Sequence, residues 1–375
     1  MLPYGRQSIN EADVAAVSES LRSDWLTTGP MVDRFESSIS EVAGGSAAVA
    51  VTSGTAALHV AYAAAGIVPG DEVVTTPLTF VATAAAAAVM GAKIVFADIE
   101  ESTGLLSLEA AEAALSERTK VIAAVDYAGL PVDAHAFKDL AHAHGALFLE
   151  DAAHSIGSFL NGEPVGLTAD LTTFSFFPTK NMTTAEGGAV VTANPGLELR
   201  ARRFKGQGLV RERELLRYPD EGPWHQEVHE FGLNYRLPDV LCALGLSQIS
   251  RLGAFRRRRQ EIHNLYNEAF VGSSQLRIPG VSAGAEPAWH LYPLRVPAER
   301  RKEIFTKLRD RGIGVQVNYI PAYWHPVFED LGYKRGMCPN AEAYYSQELS
   351  LPVFPDLTDA QVHMVIDNLL EIVGE

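Results

Sequence analysis

Residues 47–66 read AAVAVTSGTAALHVAYAAAG. The first five are small or branched apolar residues without a charge, the composition of a strand covered on both faces. Thr52-Ser53-Gly54-Thr55 carries the turn signals. The alanine-rich run to Ala65 then has a helix composition that Gly66 closes. One strand, one glycine-containing turn and one helix form the repeating unit of a doubly wound α/β domain. The alternation continues outward to about residue 193. Strands are predicted at Ala47–Val51, Glu72–Thr75, Ile94–Ala97, Val121–Val125, Ala146–Glu150, Leu171–Phe176 and Ala189–Thr192, with early helices at Thr55–Ala65 and Phe80–Met90. In such sheets ligands bind beyond the carboxyl ends of the strands.

Farther along, the character changes. Residues 201–222 are charged, with few periodic apolar positions, and read as a surface excursion. One long helix is expected from about Pro238 to Phe270. An α+β tail follows, with strands expected at Tyr292–Val296 and Gly314–Tyr319. The chain thus divides into a large α/β domain over residues 1–245 and a smaller α+β domain over residues 246–375.

Of the 375 residues, 47% are hydrophobic and 21% charged, as in ordinary globular proteins, and the length suits more than one domain. The net charge of -15 argues against nonspecific nucleic-acid binding, which needs a basic face. Cys242 and Cys338 are the two cysteines, far apart and in no C-x-x-C pair, so a reducing, cytoplasmic setting is expected. Met1 to Asn10 shows no signal-peptide pattern, and the most apolar stretch, Val81–Met90, is too short to span a bilayer. No membrane association is expected.

Three strings at strand ends carry chemistry. Ser53-Gly54-Thr55 lies where a helix begins, with unpaired N–H groups, a positive dipole end and two hydroxyls, which together make a phosphate cradle. A plain serine N-cap gives the same string. Leu147 to His154 ends an apolar strand on Glu150 and Asp151. A carboxylate there pairs with a protonated pyridine nitrogen and keeps a cofactor ring electron-poor, while a helix N-cap by Asp151 is the plainer alternative. Phe174 to Asn181 presents Lys180 after an aromatic strand and a proline turn. A desolvated lysine has a lowered pKa and forms Schiff bases, while an exposed turn lysine is the commoner arrangement. Glycines 187 and 188 follow and allow close approach of backbone to a ligand. Cradle, acid and lysine, in that order within one α/β domain, describe a fold-type-I pyridoxal-phosphate (PLP) enzyme.

The chain resembles the DegT/DnrJ/EryC1/StrS sugar aminotransferases over nearly its whole length. The shared strings are TTGP at 27–30, SGTAALH at 53–59, TTPLTFVATA at 75–84, EDAAHSIG at 150–157, FSFFPTKN at 174–181, EGGAVVT at 186–192 and NYR at 234–236. WHLYP at 289–293 and GVQVNYIP at 314–321 extend the match through the tail. VDYAG at 125–129, TTAEGGAVVT at 183–192 and SLP at 350–352 look like the branch acting on UDP-4-keto-6-deoxy-N-acetylhexosamines, which includes the pseudaminic-acid pathway transaminase.

The resemblance implies a fold-type-I PLP aminotransferase with a seven-stranded, mostly parallel sheet. It implies that Lys180 carries the cofactor as a Schiff base and moves the proton, and that Asp151 pairs with the pyridinium nitrogen. Ser53, Gly54, Thr55 and Ser175 would hold the phosphate, and Asn234 the phosphate of a partner subunit, in a homodimer with shared sites. Phe80 and Ala153 would flank the cofactor ring, and His154 would lie by its phenolic oxygen. Glu186, Arg236, His290, Tyr319 and Tyr323 are candidates for substrate contact. Two positions depart from the pattern. Asn318 stands where the family often has histidine, and the turn reads Phe-Phe-Pro-Thr where the pseudaminic-acid branch has Phe-His-Ala-Ile. Both bear on the substrate.

The expected reaction moves an amino group from L-glutamate to a nucleotide-linked 4-keto-6-deoxy sugar. A dTDP-3-keto or 4-keto sugar and a keto-cyclitol are the alternative acceptors, and a non-catalytic PLP-binding regulator is the alternative of another class. No metal site is expected. His135, His142 and His144, with His154 nearby in sequence, have poor spacing for a shared face and read as a solvated surface. Arg256 to Arg259 point all round a helix and read as a solvated, salt-bridged stretch, one member of which would be free to meet a diphosphate.

Overall fold

The computed structural model describes residues 1–374. Its centre is a seven-stranded sheet of β1 (Ala47–Val51), β2 (Glu72–Thr75), β3 (Lys93–Phe96), β4 (Thr119–Val125), β5 (Leu147–Asp151), β6 (Leu171–Ser175) and β7 (Gly188–Thr192), in the order β1-β7-β6-β5-β4-β2-β3. β7 runs antiparallel to β1 and β6, and the other neighbours are parallel. All seven predicted strands are present, with ends shifted by at most two residues. β1, β4, β5 and β6 end on the same edge, which carries Ser53 just after β1 and Val125, Asp151 and Ser175 as the last strand residues.

Both faces are covered, which explains the unbroken apolar runs. On one side α3 (Gly54–Ala65) and α4 (Ala82–Ala88) pack through alanines with Val49, Val73, Val121 and Phe148. Small side chains let these helices lie close to the strands, and the Tyr62 hydroxyl donates to the Thr83 carbonyl at 2.8 Å, tying the two together. On the other side α1 (Glu11–Arg22) and α2 (Pro30–Val42) pack with α6 (Asp239–Ile249), burying Phe35, Ile39, Phe174, Phe176 and Cys242. A separate core gathers Ile262, Tyr266 and Phe270 of α7 (Leu252–Phe270), strands β8 (Tyr292–Arg295) and β9 (Glu348–Leu351), and α8 (Asp359–Val373). Leu2 joins that core and bridges to Ile313. Trp289, Leu291, Tyr323 and Tyr344 pack instead into the core beside the large sheet.

Four expectations about elements need correction. The helix expected from Pro238 to Phe270 is two helices. They break where the Ser250 hydroxyl donates to the Ser247 carbonyl at 2.6 Å, a bond that competes with the backbone ladder, and where Arg251 turns to Asp13. Residues 201–205 belong to a helix, α5 (Pro195–Lys205), which buries Leu197 and Ala201 one turn apart while Arg202 and Lys205 pair with Glu36. Gly314–Tyr319 is not a strand: only Gln316 pairs, with Ser350. The partner of Tyr292–Arg295 is Glu348–Leu351, whose leading glutamate disguises a fully buried strand. The helix expected over Phe80–Met90 is shorter, Ala82–Ala88.

Candidate active site

At the carboxyl edge of the sheet the loops enclose a cavity of about 570 Å³. That volume accommodates a cofactor-sized ligand. Of the residues singled out in the sequence, Ser53, Gly54, Thr55, Phe80, Asp151, Ala153, His154, Ser175, Lys180, Glu186, His290 and Tyr319 line it.

The cradle forms where β1 gives way to α3. Ser53 is the N-cap, its Oγ accepting from the Ala56 N–H at 3.0 Å. The N–H groups of Gly54 and Thr55, at the first turn, have no acceptor within the helix, and both residues line the cavity. Gly54 is required here by space: a Cβ on it would lie 2.7 Å from Ser175 Cβ. Gly188 opposite is equally constrained, since its Cβ would meet the Ser53 carbonyl oxygen at 2.5 Å. The two loops therefore pinch together, and Ser175 closes the cradle.

Lys180 stands at the end of a tight turn. Pro178 presets φ at the second position and the Lys180 N–H donates to the Phe177 carbonyl at 2.9 Å. The Asn181 amide donates to the Ala288 carbonyl at 2.8 Å. Burial pushes the Lys180 amine down to about 8, against the opposing pull of Asp151. A substantial neutral fraction near pH 7–8 is what a Schiff-base-forming amine needs.

Asp151 closes β5 and is 3% exposed. Its Oδ2 accepts from the Thr83 hydroxyl at 2.6 Å and its Oδ1 from the Ala153 N–H at 3.2 Å. Burial raises its pKa, while Thr83, Ala153 and the charge of Lys180 oppose that. The arrangement keeps one fixed carboxylate edge toward the cavity.

The opposite wall is aromatic and combines residues from both halves of the chain. His154 and His290 lie with ring centroids 4.4 Å apart, and the Tyr319 hydroxyl is 3.1 Å from His154 Nε2. Burial and the Lys180 charge hold both imidazoles neutral, well below the usual histidine range. Phe80 stands at the mouth, 56% exposed, its ring edge-on to Tyr319. Glu186 is exposed at the same rim.

Three predicted residues lie elsewhere. Tyr323 is a core residue: its hydroxyl donates to Glu342 at 2.6 Å and its ring packs on Phe96. It is removed from the substrate candidates. Arg236 pairs through its backbone with Val51, and its guanidinium faces Gln207 at 3.4 Å, outside the cavity. Asn234 bridges to Gly206 and is likewise outside the cavity of its own chain. The histidines expected on the surface are there: His135 meets Glu163 at 2.7 Å and His142 meets Asp170 at 2.9 Å. The arginine run is corrected at one position, since Arg259 is fully buried.

Sequence reasoning passed over Tyr4, Thr79, Thr83 and Gln316, which all line the cavity. Thr79 and Thr83 lie within the quoted TTPLTFVATA string, and the Thr79 and Thr83 hydroxyls meet at 2.8 Å. Tyr4 carried no signal in the sequence.

These residues fit pyridoxal 5′-phosphate. The cradle suits a phosphate, Asp151 suits a protonated ring nitrogen, and Lys180 suits the aldehyde. His154 Nδ1 and Thr173 Oγ1, both in this wall, are buried and have no partner among the described residues. Fold and site together define a fold-type-I PLP enzyme.

The chain belongs to the DegT/DnrJ/EryC1/StrS aminotransferase family, which matches residues 7–370. The spore coat polysaccharide biosynthesis protein SpsC of Bacillus subtilis is 39% identical over 378 residues, covering 99% of this chain and 97% of that protein. The UDP-4-amino-4,6-dideoxy-N-acetyl-beta-L-altrosamine transaminase of Campylobacter jejuni is 36% identical over 378 residues, with 99% and 97% covered. Among solved structures, Helicobacter pylori PseC, an aminotransferase involved in the biosynthesis of pseudoaminic acid, superposes with a TM-score of 0.92 at 32% identity, covering 99% of this chain and 98% of that one. The protein is therefore an enzyme, a PLP-dependent aminotransferase. No helix among the described residues is long and apolar enough to cross a membrane.

Proposed function

We propose that this enzyme is a sugar aminotransferase that moves an amino group from L-glutamate to the keto carbon of a nucleotide-linked 4-keto-6-deoxy sugar. The observation that carries the transamination is Lys180 held with Asp151 in one cavity, next to a phosphate-binding helix start. The full-length likeness to the Campylobacter transaminase supports the sugar.

When bound, PLP supplies an aldehyde that takes up an amine and a ring that accepts the electron pair left at carbon. The protein supplies the rest. The first turn of α3, with Ser53, Thr55 and Ser175, anchors the phosphate. Asp151, fixed by Thr83 and the Ala153 N–H, holds a proton on the ring nitrogen. With the cofactor bound, the Lys180 amine would accept at Nζ the proton leaving the donor α-carbon and would carry it across the site. His154, kept neutral by burial, offers a hydrogen bond without adding a charge. Phe80 and Ala153, both lining the cavity, would flank the ring. Glu186, His290 and Tyr319, which line the cavity, are the proposed substrate contacts.

The active enzyme is proposed to be a homodimer. Asn234 closes an excursion carrying Trp224 and Phe231, 79% and 96% exposed, and it lies outside the lining of its own cavity. That supports a role for Asn234 at the phosphate of a second copy.

The test is a pair of half-reactions followed by absorbance. L-glutamate should convert the holoenzyme to its amino form, and a UDP-4-keto-6-deoxy-N-acetylhexosamine should restore the starting spectrum. Restoration by a dTDP-keto sugar or scyllo-inosose alone would overturn the acceptor. No change with glutamate would overturn the donor.

A further inference from the structure

Of the four consecutive arginines, Arg257 is exposed, while Arg256 pairs with Glu286 and Arg258 with Glu261 and Asp359. Arg259 behaves differently. It is 1% exposed, and no carboxylate pairs with it among the described residues. Its Nη1 donates to the carbonyls of Trp289 at 3.2 Å, His290 at 3.3 Å and Val353 at 3.1 Å. Its Nη2 donates to the carbonyls of Thr179 at 3.4 Å and Lys180 at 3.3 Å.

Burying a lone cation is costly, so an interior arginine without an acid calls for an account. Burial pulls its pKa down to about 10, which still leaves it charged at neutral pH. Its partners are carbonyl dipoles from three stretches far apart in sequence: the lysine turn, the Trp289–His290 wall, and the segment following β9. A planar guanidinium with several N–H groups in a rigid fork gathers such a set, and a lysine ammonium does not. Arg259 also stands, after burial, Lys180 and His154, among the influences that keep His290 neutral.

We propose that Arg259 is the positioning residue of the active site: from α7 it holds the carbonyls of Thr179, Lys180 and His290 in one frame, fixing the lysine amine against the opposite wall. This rests on the reading of Lys180 as the cofactor-carrying amine. Two consequences follow from the geometry. Loss of the fork loosens the lysine turn and slows proton movement while substrate binding stays nearly as it was. Removing the buried cation that contacts the Lys180 carbonyl should favour the protonated form of the lysine-bound nitrogen.

The experiment uses holoenzyme carrying Arg259→Met, Arg259→Lys or, as control, Arg258→Met. Arg258 also braces backbone, donating to the Leu357 carbonyl at 2.6 Å, away from the lysine turn. The readouts are the pH titration of the visible absorbance of the lysine-bound cofactor, and kcat against KM. Arg259→Met should raise the titration midpoint by about half a unit or more. It should also lower kcat by on the order of tenfold with KM near the parent value. Arg259→Lys, which keeps the charge and loses the fork, should lower kcat with little change in midpoint. Arg258→Met should alter neither. An unmoved midpoint and unchanged kcat in Arg259→Met, with only the melting temperature lowered, would reduce Arg259 to a structural brace and overturn the proposal. If Arg259→Met does not fold, Arg259→Lys decides: parental kcat overturns the proposal, and reduced kcat at parental KM sustains it. Borohydride reduction and peptide mapping of the parent holoenzyme separate the two layers. A label absent from Lys180 removes the underlying reading, whereas a label on Lys180 leaves the arginine variants to test Arg259 alone.

Discussion

The cavity has two halves of different construction. Its floor is built from strand ends: Ser53-Gly54-Thr55 after β1, Asp151 at the end of β5, Ser175 at the end of β6, and Lys180 one turn later. Its roof is assembled from pieces spread over most of the chain, among them Tyr4, His290 and the Gln316–Tyr319 segment. The floor depends on short local motifs mounted on a rigid sheet. The roof depends on long-range contacts between segments without regular structure. Chemistry on the cofactor should therefore fail when floor residues change, and substrate choice should move when roof residues change.

The sharpest separation comes from Lys180→Ala. Turnover should fall by more than about a thousandfold, since the variant lacks both the amine and the proton carrier. Cofactor should still be retained through the cradle, as judged by absorbance after gel filtration. Substantial turnover would take the amine role away from Lys180 and blur the division. Next in size is Asp151→Asn. Removing a fixed charge beside a developing one costs on the order of a hundredfold in kcat. Thr83→Val should follow, because it deletes the 2.6 Å bond that aims the Asp151 carboxylate. A charge-assisted bond of about 2 kcal/mol corresponds to roughly tenfold to thirtyfold in kcat. An effect confined to KM would place Thr83 on the substrate side instead.

The same division explains what could be read from the sequence. The sheet strands announce themselves because burial on both faces leaves uninterrupted apolar runs, and the floor residues sit within a few positions of those runs. Roof residues have no such anchor. Gln316 and Asn318 lie in a stretch whose alternation imitates a strand but pairs at one residue only. Glu348 opens a strand that its charge conceals. Tyr323 and Tyr319 are four residues apart and indistinguishable by type. Folding turns one toward Glu342 and the core and the other toward His154. Arg259 is hidden among identical neighbours, because the angle of α7 against the core, and not residue type, selects which of the four goes inside. A pair of variants tests the outcome. Tyr319→Phe should raise KM for the keto sugar by up to about tenfold, the worth of one lost hydrogen bond. Tyr323→Phe should lower the melting temperature and leave that KM unchanged.

The smallest expected effect concerns what lies behind the roof. Glu348 is fully buried. Its Oε2 accepts from the Asn318 N–H at 2.6 Å and its Oε1 from the Ser350 hydroxyl at 2.5 Å, while the Asn318 amide donates to Ser350 at 3.0 Å. Burial pushes this carboxyl up to about 8, against the pull of Ser350, the Asn318 N–H and the Arg301 charge. Asn318 and Tyr319 therefore rest on an acid that is mostly protonated at neutral pH. Its folded-state pKa lies above the ordinary 4.5, so the folded protein retains a proton that the unfolded chain has already lost. The stability this contributes is complete below about pH 4.5 and is lost as pH rises through about 8. Glu348→Gln, which does not titrate, should flatten the fall of melting temperature across that window. It should also remove any rise in sugar KM that the parent shows above pH 8, because the roof would no longer lose its protonated support. Glu348 supports the Asn318 backbone and none of the floor residues, so the cofactor-anchoring step should respond to Lys180 and not to Glu348. A parallel pH profile in parent and Glu348→Gln would show that the roof does not rest on this carboxyl.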